Sequence, residues 1–149
     1  MDSFVEMIHR QVESDRRDQF EDSPQVDLGY LIDQITTIFH NFVAYPEPRV
    51  FLDNDTPTNL HSWRGIYREL AFDYQDGGDG MTITDFLKEL KFANGMTYQG
   101  YKGGDFLMER GTPVWVSHYG TSGDHRAVVA VEHDREKNRV TVVTKVMEP

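Results

Sequence analysis

Cysteine is absent from the 149-residue chain. This excludes a disulfide framework, a thiolate metal site and a thiol nucleophile, and makes a reducing cytosol the natural setting. Long apolar runs are absent too: the longest span a few residues, against the roughly 20 needed to cross a bilayer. Residues 1–22 carry acids in their first turn and no apolar stretch of signal-peptide length, so neither secretion nor a membrane partner is expected. Basic residues are scarce, with 15 Lys and Arg against 25 Asp and Glu and a formal net charge of −10. A binder of duplex DNA or RNA needs a basic face to displace counterions from phosphates, so nucleic acid is not expected as a partner. A small phosphorylated ligand stays open, because a pocket needs only a few local cations. A well-solvated surface accounts equally for the excess of acid.

Catalytic signatures are missing as well. There is no GxSxG elbow, no HExxH and no HxE with paired cysteines. His118, Asp124, His125, His133 and Asp134 can be assembled into a metal site on paper, but their spacing matches no ligand rule, so no metal and no cofactor is expected. Carboxylates are too numerous for a catalytic dyad to be singled out. General-base chemistry by His118 or His125 is the one enzymatic reading left.

What remains is globular: 38% hydrophobic and 12% aromatic residues in a chain of one-domain length. The pattern predicts an α+β fold, with N-terminal helices followed by a predominantly antiparallel β-sheet and one further helix. Apolar residues at helical spacing place helices over 3–21 and 27–43, the second capped by Asp27 and ended by Tyr45-Pro46-Glu47-Pro48. These helices read as a hairpin or arm over residues 1–45, ahead of an α+β ligand-binding core over 49–146. A strand over 49–53 precedes a turn over 54–57, and alternation over 63–74 reads as another strand. Thr82 with Asp85 opens a helix over 83–93, which Asn94-Gly95 stops. Phe106-Leu107-Met108 follows as a short strand. Alternation over 112–119, 126–133 and 139–146 predicts an antiparallel meander, its last turn being Asp134 to Asn138.

Three segments carry the residue types of an anion site. In Ser62-Trp63-Arg64-Gly65-Ile66-Tyr67, an arginine between an aromatic and a glycine can present its planar fork beside a stacking surface. In Gly100-Tyr101-Lys102-Gly103-Gly104, paired glycines let amides approach an anion while Lys102 adds charge, although the spacing is that of neither a P-loop nor GxGxxG. His118-Tyr119-Gly120 and the loop to Arg126 lie at a strand end, where sites collect. Each also has a plain structural reading: a surface arginine over a tryptophan, a glycine-rich turn and an ordinary loop.

Taken in order and spacing, Ser62 to Tyr67, Gly100 to Gly104, and Thr112-Pro113-Val114-Trp115-Val116 with Tyr119-Gly120 resemble small proteins encoded by bacterial viruses. They are similar to the first type of the Thoeris anti-defence sponge family, over roughly residues 49–146. His118 departs from the asparagine that precedes the Tyr-Gly pair there, which keeps a hydrogen-bonding edge but alters its geometry. The resemblance implies capture, without cleavage, of cyclic nucleotide second messengers such as cyclic ADP-ribose isomers, and for some members cyclic di- or trinucleotides. It also implies dimers or larger oligomers, with the host cytoplasm as the place of action. The apolar load of the first helices independently suggests a homo-oligomer.

On this reading Arg64 and Lys102 contact phosphates, with Arg126 and Arg139 as further cations. Tyr101, Phe106 or Trp115 offers the stacking face, and His118, Tyr119 and Asp124 hold the base or ribose. No catalytic residue is assigned. Two other readings compete: an acidic inhibitor or DNA mimic that blocks a host defence protein, and an enzyme that degrades the messenger.

Overall fold

In the computed structural model, residues 23–41, 47–53, 56–66, 69–76, 78–99, 105–118 and 125–146 are described, with 64–66, 69, 70, 76 and 118 described by backbone alone. Helix α1 (Leu28–Asn41) begins where the sequence puts it. The Asp27 carboxylate accepts the Tyr30 amide at 2.8 Å, capping one of the amides that the first turn leaves unpaired. Two more go to the turn before β6: the Leu28 amide donates to the Thr112 carbonyl and the Gly29 amide to that of Arg110. Leu28, Leu31, Ile32, Ile35 and Ile38 are buried in one cluster with Val50, Phe72, Val116, Val128 and Val142 of the strands. Residues 28–41 are thus part of the core rather than of a separate arm. The helix expected over 3–21 lies outside the described residues.

Eight strands are present among the described residues: β1 (Arg49–Leu52), β2 (Thr56–Ile66), β3 (Glu69–Asp76), β4 (Thr97–Gln99), β5 (Asp105–Leu107), β6 (Trp115–His118), β7 (His125–Asp134) and β8 (Arg139–Lys145). Six close into a barrel in the order β1-β2-β3-β6-β7-β8, and β4-β5 forms a separate two-stranded sheet. The expected meander is present as β6-β7-β8, antiparallel throughout. Two contacts of the barrel are parallel, β1 with β8 and β3 with β6. The single strand expected over 63–74 is instead the antiparallel β2-β3 hairpin, with Trp63 opposite Phe72 and Ile66 opposite Glu69. Alternation is present on both sides of the reversal, so the two arms read as one. The turn expected over 54–57 gives way to β2 at Thr56, with Pro57 near the start of the strand, where a missing N–H is tolerated.

Helix α2 (Ile83–Ala93) lies in the connection from β3 to β6. Thr82 caps it by accepting the Asp85 amide at 3.2 Å. A second acceptor was not expected: the Glu47 carboxylate takes both the amide and the hydroxyl of Thr84, each at 2.9 Å. Ile83, Phe86, Leu87 and Leu90 are buried, and Gly95 leaves the helix at φ +89°. Between β3 and α2 the chain wedges across β1 and β2. The Met81 amide donates to the Thr58 carbonyl, and the Met81 carbonyl accepts from the Val50 amide. Gly80 permits this passage, with φ +83° and a position where a Cβ would stand 2.6 Å from the Val50 carbonyl oxygen.

Replacing Gly80 by alanine therefore adds a left-handed strain to a backbone clash. We expect a loss of about 2 kcal/mol in chemical denaturation, whereas Gly111→Ala, which meets open space, stays within about 0.5 kcal/mol of wild type. Glu47 generates a second expectation. Burial works to raise its pKa, but the Thr84 and Thr82 hydrogen bonds and the nearby Arg49 outweigh it, and the value falls below that of an ordinary glutamate. A carboxylate whose pKa is lower folded than unfolded stabilises the fold above the unfolded value. That contribution is lost as pH falls through the folded value. Glu47→Gln should cost about 1 kcal/mol at pH 7 and flatten the acid limb of the stability-pH curve.

Candidate functional site

Strand register assembles polar and aromatic residues that are distant in sequence. Across β2, β3, β6 and β7, Arg64 pairs with Ala71, Ala71 with Trp115, and Trp115 with Ala127. Two residues along, Ser62 pairs with Asp73, Asp73 with Ser117, and Ser117 with His125. Alternate residues share a side of a strand, so these are two neighbouring rows on one side of the barrel wall. The other side carries Phe72, Val116 and Val128 and belongs to the main core. Ala71, Trp115 and Ala127 form a second, smaller cluster. Trp115 is 4% exposed, Asp73 5% and Ser117 0%. The Trp115 indole meets the His125 ring edge-on, with centroids 6.3 Å apart.

A second cluster stands where β1 and β8 end and β7 begins. Asp53 takes a left-handed φ of +54°. Its amide donates to the Val142 carbonyl, and its carboxylate accepts from the amide and hydroxyl of Thr144 at 2.9–3.0 Å. Arg126 lies 3.5 Å from the same carboxylate, with both side chains about one-third exposed. Elsewhere, Arg139 stacks over the Phe51 ring at 4.7 Å, and the neighbouring Arg49 donates to the Gly80 carbonyl.

These placements distribute the expected site residues over several regions. Arg64 and Trp115 fall in one row, with Ala71 between them. His118 pairs with Tyr74 at the far end of β6, and Arg126 occupies the Asp53 corner. Phe106 is half-buried opposite Tyr98 in the β4-β5 hairpin. Tyr98 in turn packs against Trp63, ring centroids 6.3 Å apart, and burial together with the Glu89 carboxylate raises its pKa. Arg139 sits at the start of β8, engaged with Phe51. Tyr101, Lys102, Tyr119 and Asp124 lie outside the described residues.

Sequence reasoning named Ser62 only as part of a segment, and missed Asp73, Ser117, Asp53 and Thr144. A faint signal exists for the row: Ala71-x-Asp73, Trp115-x-Ser117 and His125-x-Ala127 each put a polar group and a core-type residue on one side of a strand. Nothing local identifies Asp53, because its hydrogen-bond partners are about ninety residues away. Among the described residues, no group of three His, Asp or Glu is placed to hold a metal ion. No helix there is long and apolar enough to cross a membrane.

Burial separates the two aromatic candidates. Trp115→Ala should cost about 3–5 kcal/mol in urea denaturation, the range for a buried large aromatic. Phe106→Ala, half-exposed on a short hairpin, should cost under about 2 kcal/mol. Equal losses would contradict the packing described.

Comparison of the chain with protein-family models, with curated proteins and with solved structures gives no match.

Proposed function

We propose that this protein binds and sequesters a small cyclic nucleotide second messenger, of the cyclic ADP-ribose or cyclic oligonucleotide class, without cleaving it. As a viral anti-defence protein it would act in the host cytoplasm and as a homo-oligomer. The observation that carries the reading is the pair of rows on β2, β3, β6 and β7. They bring an arginine position, an indole, a buried carboxylate, two serines and an imidazole to one side of the wall. Such a ligand offers phosphates for an arginine and ribose hydroxyls for Ser62 and His125, the half-buried members of the rows, with Trp115, Asp73 and Ser117 buried behind them as support. The resemblance of the Ser62–Tyr67, Gly100–Gly104 and Thr112–Val116 segments to the sponge family points the same way.

Row order favours binding over turnover. A Ser-His-Asp relay needs the imidazole between hydroxyl and carboxylate. Here Ser117 stands between Asp73 and His125, so carboxylate and imidazole are two strands apart, about 9–10 Å at the usual strand spacing. Nanomolar capture requires about 12 kcal/mol, and charge-assisted hydrogen bonds contribute roughly 1.5–3 kcal/mol each. Several contacts must therefore act together with stacking.

Cyclic ADP-ribose isomers or cyclic trinucleotides at saturation should raise the melting temperature by mass action, and heating should release the ligand chemically intact. Asp73→Asn and Arg64→Ala should each weaken capture at least tenfold, about 1.4 kcal/mol. Loss of the cyclic species at a rate proportional to added protein would mean an enzyme. The absence of any thermal shift across the panel would remove the messenger from the reading.

A further inference from the structure

The Asp53 corner has features that the fold alone does not require. Non-glycine residues rarely hold a left-handed φ, although aspartate does so more readily than most. Asp53 is held at +54° by the hydrogen bond its amide donates to the Val142 carbonyl and by the Thr144 amide and hydroxyl, which donate to its carboxylate. Among the described residues that carboxylate has one further partner, Arg126, at 3.5 Å through Nη1. The separation is long for a charge-assisted hydrogen bond, which closes to about 2.7–2.9 Å. Arg126 thus has an ion pair on one corner of its guanidinium and unused capacity elsewhere. Its Nε is buried and has no hydrogen-bond partner among the described residues, while the side chain as a whole is 37% exposed. A buried, unpaired N–H on a charged group is costly, and such groups usually mark the place of a water, an ion or a ligand.

Position sharpens the chemistry. Arg126 pairs with Val116 and lies two residues from Val128 on β7, so its stem stands on the core side of the strand. Asp53, fixed by Thr144, stands against the Nη1 corner of the guanidinium. The edge carrying Nε and Nη2 is the edge arginine uses for two oxygens of one anion.

We propose that this corner is an oxyanion site, in which Arg126 grips two oxygens of a phosphoryl group through Nε and Nη2. Asp53 is the positioning residue: fixed by Thr144, it orients the guanidinium from behind and does not touch the anion. The site shares Arg126 with the sequestration reading and rests on it only for the source of the phosphoryl group, which could equally be a free phosphate.

The test is an NMR titration of the full-length, ¹⁵N-labelled chain with inorganic phosphate and with pyrophosphate, against sodium chloride at matched ionic strength. A buried Nε–H exchanges slowly enough to be seen and can be assigned by side-chain correlation in the wild-type protein. We expect the Arg126 Nε–H to shift saturably with both phosphates, more tightly with pyrophosphate, and to ignore chloride. Arg126→Lys, which keeps the charge but loses the fork, should weaken pyrophosphate at least tenfold. Asp53→Asn should speed exchange of the Nε–H with solvent and weaken pyrophosphate at least threefold. A Nε–H that does not move, or moves equally with chloride, overturns the site. Tighter binding by Asp53→Asn overturns the positioning role, since Asp53 would then be a competitor for Arg126. A chain whose Nε–H answers pyrophosphate but which captures no cyclic nucleotide keeps this site and loses sequestration. Capture with a silent Nε–H does the reverse.

Discussion

Two parallel strand pairs, β1 with β8 and β3 with β6, turn a set of antiparallel hairpins into a closed barrel. Antiparallel neighbours can be joined by a two-residue turn. Parallel neighbours need a long crossover, and their closure costs chain entropy before any contact repays it. Here the β3-to-β6 crossover carries α2 and the β4-β5 hairpin, whose apolar faces complete the core. Phe86 of α2 packs edge-on against Phe72 of β3, and Tyr98 of β4 against Trp63 of β2. The crossover thus provides buried apolar surface as well as connection. The wedge at Met81 and the close passage of Gly80 beneath Val50 tie β1 to β2 beside the β1·β8 closure.

Both polar clusters lie across these same two contacts. Asp73 meets the Ser117 position only because β3 lies beside β6, and Asp53 reaches Thr144 only because β1 lies beside β8. Placing carboxylates there is expensive. An ion taken out of water costs several kcal/mol after relaxation, a large share of the roughly 5–15 kcal/mol that holds a domain folded. Asp53 limits this cost by staying one-third exposed and accepting from Thr144. Asp73, at 5% exposure, does not have that relief from solvent. The apolar side of the wall, continuous with both helices, provides the stabilisation that offsets it.

The legible parts of the chain were those whose signals are local. Asp27 and Thr82 announce their helices by side chains that bond an amide three residues on, and Asn94-Gly95 ends α2 through a positive φ. The β7-β8 reversal is announced by Asp134, which accepts the Lys137 amide, and by Asn138 at φ +51°. The β2-β3 reversal has no such mark: Ile66-Tyr67-Arg68-Glu69 contains no glycine, proline, asparagine or aspartate, so two strands merged into one. Strand β4, three residues long, is too short for periodicity to register. Parallel closure leaves no local trace at all. For that reason Arg64, Trp115 and Arg126 could be named from sequence, while the residues they lie beside could not.

The rows and the Arg126 corner sit in a chain of net charge −10, whose long-range field repels a phosphorylated ligand. At physiological ionic strength, however, the Debye length is about 8 Å. Acids elsewhere on the surface are largely screened from a group already seated against a guanidinium, and their main effect falls on the rate of encounter. Short-range contacts act after encounter: they set how long the ligand stays, and most differences in affinity are differences in dissociation rate. A protein that sequesters gains more from slow release than from fast arrival. Short-range contacts, rather than a broad positive field, are therefore the means by which an acidic protein can retain an anion.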